Sequence, residues 1–329
     1  MGKAIDRINR EIHLMPIVAK GYSRKAASNW YELVKKDQKR YAKKYTKQKI
    51  KAIHKAGYLC STLEKYGVDF DKNPDGTVQK TLEGGHCRRR IVHHKDTTGA
   101  EIVKKLLEEV HRRKNITQVP NSLVYKLEKV KSGFCADILD ENGKPFSVFA
   151  DYCVLATGGI GRVYKYTTNP AVATGDGIRL AYELGAAIKH LSYVQFHPTA
   201  FNGPDREQFL ISEAVRGEGA YLLNCNKERF MHRYDDRLEL APRDVVSRAI
   251  ILESRKTGSN NFYLDITYKD SDFVRNRFPG IYAGCLEHGV DITKDLIPIF
   301  PCQHYLMGGI DVSLEARTTV SRLYAVGEC

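Results

Sequence analysis

From residue 56 onward the chain switches repeatedly between two hydrophobic periods. In TTGAEIVKKLLEEVHRRKN (97–115), Ile102, Leu106, Leu107 and Val110 recur at helical spacing and predict an amphipathic helix. SLVYKLEKV (122–130), FCADILD (134–140) and FSVFADYCVLAT (146–157) are rich in β-branched and aromatic residues and predict three strands. ENGKP (141–145) is a hairpin turn between the last two, and GVDFDKNPDGT (67–77) is a second turn-rich stretch. TGDGIRLAYELGAAI (174–188) opens on glycines and predicts a helix capped near Thr174 or Asp176. RDVVSRAIILESRKTG (243–258) predicts another that stops at Gly258, and DFVRNRFPGIYAGCLEHG (272–289) one broken at Pro279. NFYLDIT (261–267) and residues 308–313 and 322–326 predict further strands. Helices alternating with strands give an α/β class.

Composition changes this picture little, and charge changes it in one place. At 329 residues the chain has room for two domains, and no stretch approaches the roughly 18 apolar residues of a membrane span. The opening MGKAIDRINREIHLM lacks the apolar run of a secretory signal. Eight cysteines are scattered without a C-x-x-C pair, which argues against a zinc ribbon or a disulfide framework and fits a reducing cytoplasm. Most of them read as small buried hydrophobes. The net charge is +13, but residues 1–55 hold 16 Lys/Arg against 4 Asp/Glu and leave 36 against 35 for the remainder. With Tyr31, Tyr41 and Tyr45 among its lysines, that segment has the composition of a nucleic-acid-binding arm. A solvated extension is the preferred reading, so a nucleic-acid partner is not expected.

Two groups of motifs carry chemistry. CVLATGGIGRVY (153–164) is an apolar strand that breaks into Thr157, Gly158 and Gly159, where backbone amides can approach a phosphate or a ring, although a plain tight strand exit would look the same. TGDGIRLA (174–181) sets Asp176 at a helix start, either as an acceptor for a cofactor hydroxyl or as a simple cap. The second group is VQFHPTA (194–200), ISEAVRGEGAYLLN (211–224), LAPRDVVSRA (240–249) and PCQHYLMGGIDV (301–312). Two histidines, an arginine after a proline and a Ser-Glu pair are what a dicarboxylate pocket would use: Arg offers a planar fork, and His donors hold the other end.

In their order, ATGG, TTNPAVATGDG, QFHPTA, EAVRGEGAYLLN, LAPRDVVSRA, LDIT, GVDITKD, the His-Tyr-x-Met-Gly-Gly run and LYAVGE resemble the flavoprotein subunits of succinate dehydrogenases and fumarate reductases and their relative, L-aspartate oxidase. EGGHCRRRIVHHKDTTGAEI (83–102) and LAPRD look like the aspartate oxidase forms. The resemblance covers roughly residues 56–329. It implies a Rossmann-like FAD-binding domain split in sequence (56–190 and 305–329) with an α+β capping domain inserted at 191–304, and residues 1–55 as an unassigned basic segment. The implied activity is FAD-dependent oxidation of L-aspartate to iminoaspartate, with O2 or fumarate as acceptor, in NAD biosynthesis and linked to quinolinate synthase. Carried over by motif, Arg243 and Glu83 are catalytic, and His197, His304, Ser212 and Glu213 bind substrate. Thr157, Gly158, Gly159, Asp176 and Glu328 touch the FAD, and no metal is implied.

The chain also departs from the pattern. Family members open with a strand and a G-x-G-x-x-G turn, but residues 1–55 contain only Gly2 and Gly21. They also continue past the Gly-Glu of LYAVGE into a His-Gly-Ala-Asn-Arg segment that is not found here. Cys87 and Ser212 stand where Ser and Thr are usual. The expectation is a polypeptide without the first and last parts of the pattern and with weak FAD binding. The runner-up is a fumarate reductase or succinate dehydrogenase flavoprotein. From a different class, the alternative is a non-catalytic remnant with a basic binding arm.

Overall fold

The computed structural model describes residues 60–84, 88–203 and 208–329. The basic segment, the glycine-poor start, His86 and Cys87 therefore lie outside the described residues. The chain divides into two compact units, one holding the residues up to Lys80 with Arg90–Lys114, the other Thr81–Arg89 with Asn115–Cys329. In the first, Val68 and Phe70 are buried, and Asp71 accepts from the Lys95 amide (2.6 Å) while pairing with His93 Nδ1 (2.9 Å). Its helix α1 (Thr98–Arg112) partly buries Ile102, Leu106 and Val110 as the periodicity predicts, whereas Leu107 is 44% exposed.

The second unit begins with a three-stranded antiparallel sheet, β1 (Leu123–Val130), β2 (Gly133–Leu139) and β3 (Pro145–Ala150). The predicted turn closes because Asp140 Oδ1 accepts from the Asn142 and Lys144 amides (2.9 and 2.8 Å) and Gly143 takes φ +75°. The single strand expected over 146–157 is in fact two strands in different sheets. The hairpin register ends where Phe134 meets Ala150, and a Cβ on the adjacent Gly133 would lie 2.1 Å from the Ala150 carbonyl. The chain turns out at Asp151–Tyr152 and restarts as β4 (Cys153–Leu155), which pairs in parallel with β11 (Leu323–Ala325). Helix α2 (Asp176–Glu183) follows, its N-cap the left-handed Gly175 rather than Thr174 or Asp176. The short strand β5 (Ile188–Lys189) pairs with β10 (Gly309–Ile310). Leu155, Ile178, Leu180, Leu306, Leu323 and Ala325 share the core of this part.

The rest is built on a four-stranded antiparallel sheet in the order β6 (Val194–Phe201), β9 (Ile297–Leu306), β8 (Phe262–Asp265), β7 (Tyr221–Leu223). Helix α3 (Glu213–Gly217), α4 (Arg243–Thr257), α5 (Ser271–Arg277) and α6 (Pro279–Glu287) accompany it. As predicted, α4 ends on the left-handed Gly258, and the break at Pro279 separates α5 from α6. Val246, Ala249 and Ile250 of α4 join Phe230, Phe262, Leu264 and Phe278 in the core. Strands β6 and β9 were not legible as strands, because VQFHPTA and PCQHYL mix buried polar residues and prolines where alternating apolar residues would signal a sheet. Among the described residues no helix is long and apolar enough to cross a membrane, and no group of three or more His, Cys, Asp or Glu could hold a metal.

Candidate active site

Arg243 is the first residue of α4, after Pro242 at the N-cap. One turn on, Ser247 Oγ donates to the Phe196 carbonyl of β6 (3.1 Å), so the helix face that carries Arg243 is fastened to that strand. The guanidinium is held at two points, Nε to Glu213 Oε2 (2.8 Å) and Nη1 to Gln195 Oε1 (2.9 Å). The other oxygen of Glu213 accepts from Arg216 Nη2 (2.8 Å), whose Nη1 donates to the Glu239 and Ala241 carbonyls (2.6 and 3.4 Å). Arg216 is 1% exposed and Glu213 6%. A buried guanidinium and carboxylate thus fix the aim of the half-buried Arg243, a rigid fork suited to a planar anion.

The two predicted histidines meet beside this fork. His197 on β6 is fully buried, and its ring centroid lies 5.1 Å from that of His304 on β9. The β6–β9 register pairs Gln303 with Phe196 but Tyr305 with Gln195, so His304 is the extra residue of a bulge. A bulge re-aims a side chain that regular pleating would place elsewhere. Both rings are held neutral. Burial, with the charge of Arg243, pushes His197 well below the usual imidazole range and His304 down to about 4.

This has a consequence for stability. The unfolded chain binds protons at both histidines below about pH 6.5 while the folded chain does not, so stability is full above that value and is lost as pH falls toward 4. We expect His304→Gln to flatten the fall in melting temperature between pH 6.5 and 4, a term on the order of 3 kcal/mol for His304. Parallel pH–melting curves for the two proteins would refute this.

Glu83 lies at the same place. Gly217 of α3 has no room for a side chain, since a Cβ would lie 2.2 Å from the Leu82 carbonyl and 3.4 Å from Glu83 Cα. A Cβ on Gly84 would likewise lie 2.4 Å from Glu213 Oε1. Burial and the nearby Glu213 raise the Glu83 carboxyl above its ordinary range, against the pull of Arg243, Arg277 and Arg216. Ser212 Oγ accepts from the Ala214 amide (3.2 Å) as the N-cap of α3, which leaves its own O–H free to donate.

The glycine-rich residues form a second group. Thr157, Gly158 and Gly159 follow β4, and the Gly159 carbonyl accepts from the Gly175 amide (3.1 Å) at the start of α2. A Cβ on Gly177 would lie 1.9 Å from Thr157 Oγ1, and one on Gly159 would lie 2.1 Å from Glu328 Oε1. Glu328 Oε1 accepts from the Leu306 amide (2.7 Å), two residues past His304. Asp176 bonds the Thr174 hydroxyl. Gly158, at φ +79° with open space where a Cβ would sit, leaves a bare turn of backbone at the strand exit. This is a cradle that a dinucleotide's polar groups would fit, with an acid at each end.

The FAD binding domain family matches residues 15–329, a span that takes in most of the basic segment. The chain belongs to this family. FAD is therefore the cofactor that the family match assigns. The chain is similar to the L-aspartate oxidase of Clostridium perfringens, 46% identical over 264 residues, which are 80% of this chain and 58% of that protein. It is 43% identical to the enzyme of the same name from Acinetobacter baylyi, over 81% of this chain and 51% of the relative. The chain thus spans little more than half the length of these curated relatives. Among solved structures, a quinol fumarate reductase FrdA from E. coli matches at TM-score 0.78 and 31% identity, covering 84% of this chain and 50% of that one. Mycobacterium smegmatis Sdh1 matches at 0.64 and 33%, covering 84% and 49%. The expected fold class, with an FAD-binding Rossmann-like part, is what this family member has.

Sequence reasoning missed four members of the site: Gln195, Arg216, Thr168 and Asn169. Gln195 stands two residues before His197 on one strand, and Arg216 three residues after Glu213 on one helix. Both spacings are legible signals of a shared face. Thr168 and Asn169 lie in the TTNPAVATGDG motif, but no local spacing ties it to His304, which they meet by a loop contact across 136 and 135 residues of sequence. Burial pushes Cys285 and Cys302 up to about 12, which leaves them protonated at neutral pH.

Proposed function

We propose that this chain oxidises L-aspartate to iminoaspartate, with FAD as hydride acceptor and fumarate or O2 as the terminal oxidant. The observation that carries this is the fork of Arg243, pinned by Glu213 and Gln195 beside two neutral imidazoles, with the acid Glu83 on the same buried carboxylate. Residues 191–304 would be the capping domain, and 56–190 with 305–329 the FAD-binding portion. Thr157, Gly158, Gly159, Asp176 and Glu328 would hold the flavin half of the cofactor, whose ring, when bound, takes the hydride from Cα.

The protein's own work is placement and one proton. Arg243 clamps one substrate carboxylate, while His197 and His304 donate to the other end. As neutral donors they spend no proton on an anion. Oxidation removes a hydride from Cα and a proton from the amine. Glu83, ionised, is the group suited to take that proton, and its raised pKa brings it toward the working range of a base. Ser212 serves the pocket by capping α3, which holds Glu213 and Arg216 in place.

Succinate offers no amine, so Glu83 separates this reading from the runner-up, a fumarate reductase or succinate dehydrogenase flavoprotein. Glu83→Gln in the full chain supplied with FAD should lower aspartate oxidation about a hundredfold and fumarate reduction by far less, the usual range for one positioned base. The wild-type rate with aspartate should fall as pH drops through the raised Glu83 pKa, and that limb should vanish in the variant. Equal losses in both assays would make Glu83 structural. We extend the proposal to a cytoplasmic role in NAD biosynthesis. The imine is unstable in water, which favours a consumer such as quinolinate synthase close at hand.

A further inference from the structure

We propose that Thr168 is a positioning residue that holds His304 with its proton on Nε2, so that His304 and His197 present two matched N–H donors to one oxyanion. This rests on the dicarboxylate reading given above. The tautomer of His197 follows from its backbone. Two groups face His197 Nδ1: the Thr199 amide, which can only donate (3.3 Å), and, farther off, the Thr199 hydroxyl (3.5 Å), whose proton goes to the Ile211 carbonyl (2.9 Å). The nearer amide favours a neutral ring with its proton on Nε2. That Nε2 is buried and has no partner among the described residues, His304 included. A buried donor left unpaired costs free energy unless a ligand completes it.

Among the described residues no amide meets His304 Nδ1. It has the Thr168 hydroxyl, at 2.6 Å. A hydroxyl can donate or accept, so the contact alone leaves the tautomer open, and the neighbourhood decides it. If His304 carried its proton on Nδ1, its Nε2 lone pair would face the anion that Arg243 and His197 gather. Donation by Thr168 removes that repulsion and turns the second ring into a second donor. The hydroxyl is well held for this. The Thr168 amide donates to the Gln303 carbonyl (3.0 Å), Asn169 Nδ2 donates to the His304 carbonyl (2.7 Å), and the Thr167 hydroxyl bonds Gln303 Oε1. Residues 167–169 thus form a backbone splint along the bulge that carries His304, and Thr168 is the one that reaches its ring.

The test is the tautomer itself, read in the full chain labelled with 15N-histidine. Long-range 1H–15N spectra at neutral pH should show a pyridine-type Nδ1 and a pyrrole-type Nε2 for both His197 and His304. Thr168→Val should abolish this pattern at His304 alone, leaving His197 as the internal control, and Thr168→Ser should keep it. Fumarate, used as the probe, should bind about tenfold more weakly to the valine variant, the usual effect of one lost hydrogen bond, with serine restoring it. An Nδ1–H tautomer at His304 in the wild type would overturn the proposal even if the valine variant failed to fold, and so would an unchanged His304 pattern in that variant. If fumarate fails to bind the wild type, the dicarboxylate reading falls and takes the oxyanion role with it, while the spectra still decide whether Thr168 sets the ring.

Discussion

Arg243→Leu is expected to lower L-aspartate turnover of the full chain, supplied with FAD, by at least about two orders of magnitude, the scale for one preorganised electrostatic group. The leucine keeps the helix start and much of the volume but removes the fork that Glu213 and Gln195 aim. It also leaves Glu213 with Arg216 as its remaining partner, which tips the site from a cation facing the substrate toward a carboxylate facing it. The loss should therefore appear in kcat/KM with both aspartate and fumarate, since both present a carboxylate to the same clamp. Arg243→Lys should recover only a small part, because an ammonium is a point charge without the planar two-point geometry. Turnover by the leucine variant within tenfold of the wild type would remove Arg243 from the mechanism.

The largest effect on stability is expected at Arg216. Its guanidinium is buried, with Nη2 bonded to Glu213 and Nη1 to two backbone carbonyls while Nε has no partner among the described residues, so it joins α3 to the turn before α4. Arg216→Met replaces it with a chain of similar reach and no charge. Glu213 is then a buried carboxylate with half its compensation gone, and two carbonyls lose their donor. Breaking one side of a buried pair costs roughly 3–5 kcal/mol, a fall in melting temperature on the order of 10 °C for a domain of this size. Glu213→Gln in the same background should recover part of the loss, since the uncompensated charge is then gone. A melting temperature for Arg216→Met within about 2 °C of the wild type would show that the pair is not structural.

The secondary elements with a clean period were legible from residues alone. Helix α4 with its Gly258 stop, the break at Pro279 and the hairpin over Asp140–Gly143 are local matters, decided by propensity, caps and turn chemistry within a few residues. The motifs likewise singled out Arg243, Glu213, His197 and His304, because residue types suited to a dicarboxylate pocket stood in a specific order, and the family resemblance added Glu83. What the residues could not give was the division of 146–157 into two strands, or the sheet that β6 and β9 form. Both depend on partners far away in the chain: Gly133 against Ala150, and His197 opposite Cys302. The same holds within the site. That Ser212 caps a helix, that Gln195 and Arg216 frame Arg243, and that Thr168 touches His304 are facts of long-range packing. A single hydrogen bond across 136 residues leaves no trace in local periodicity. By itself the sequence determined which chemistry the protein can offer. Only the tertiary structure decided how each group is aimed and which protonation state it keeps, because burial and neighbouring charge exist only once distant segments have met.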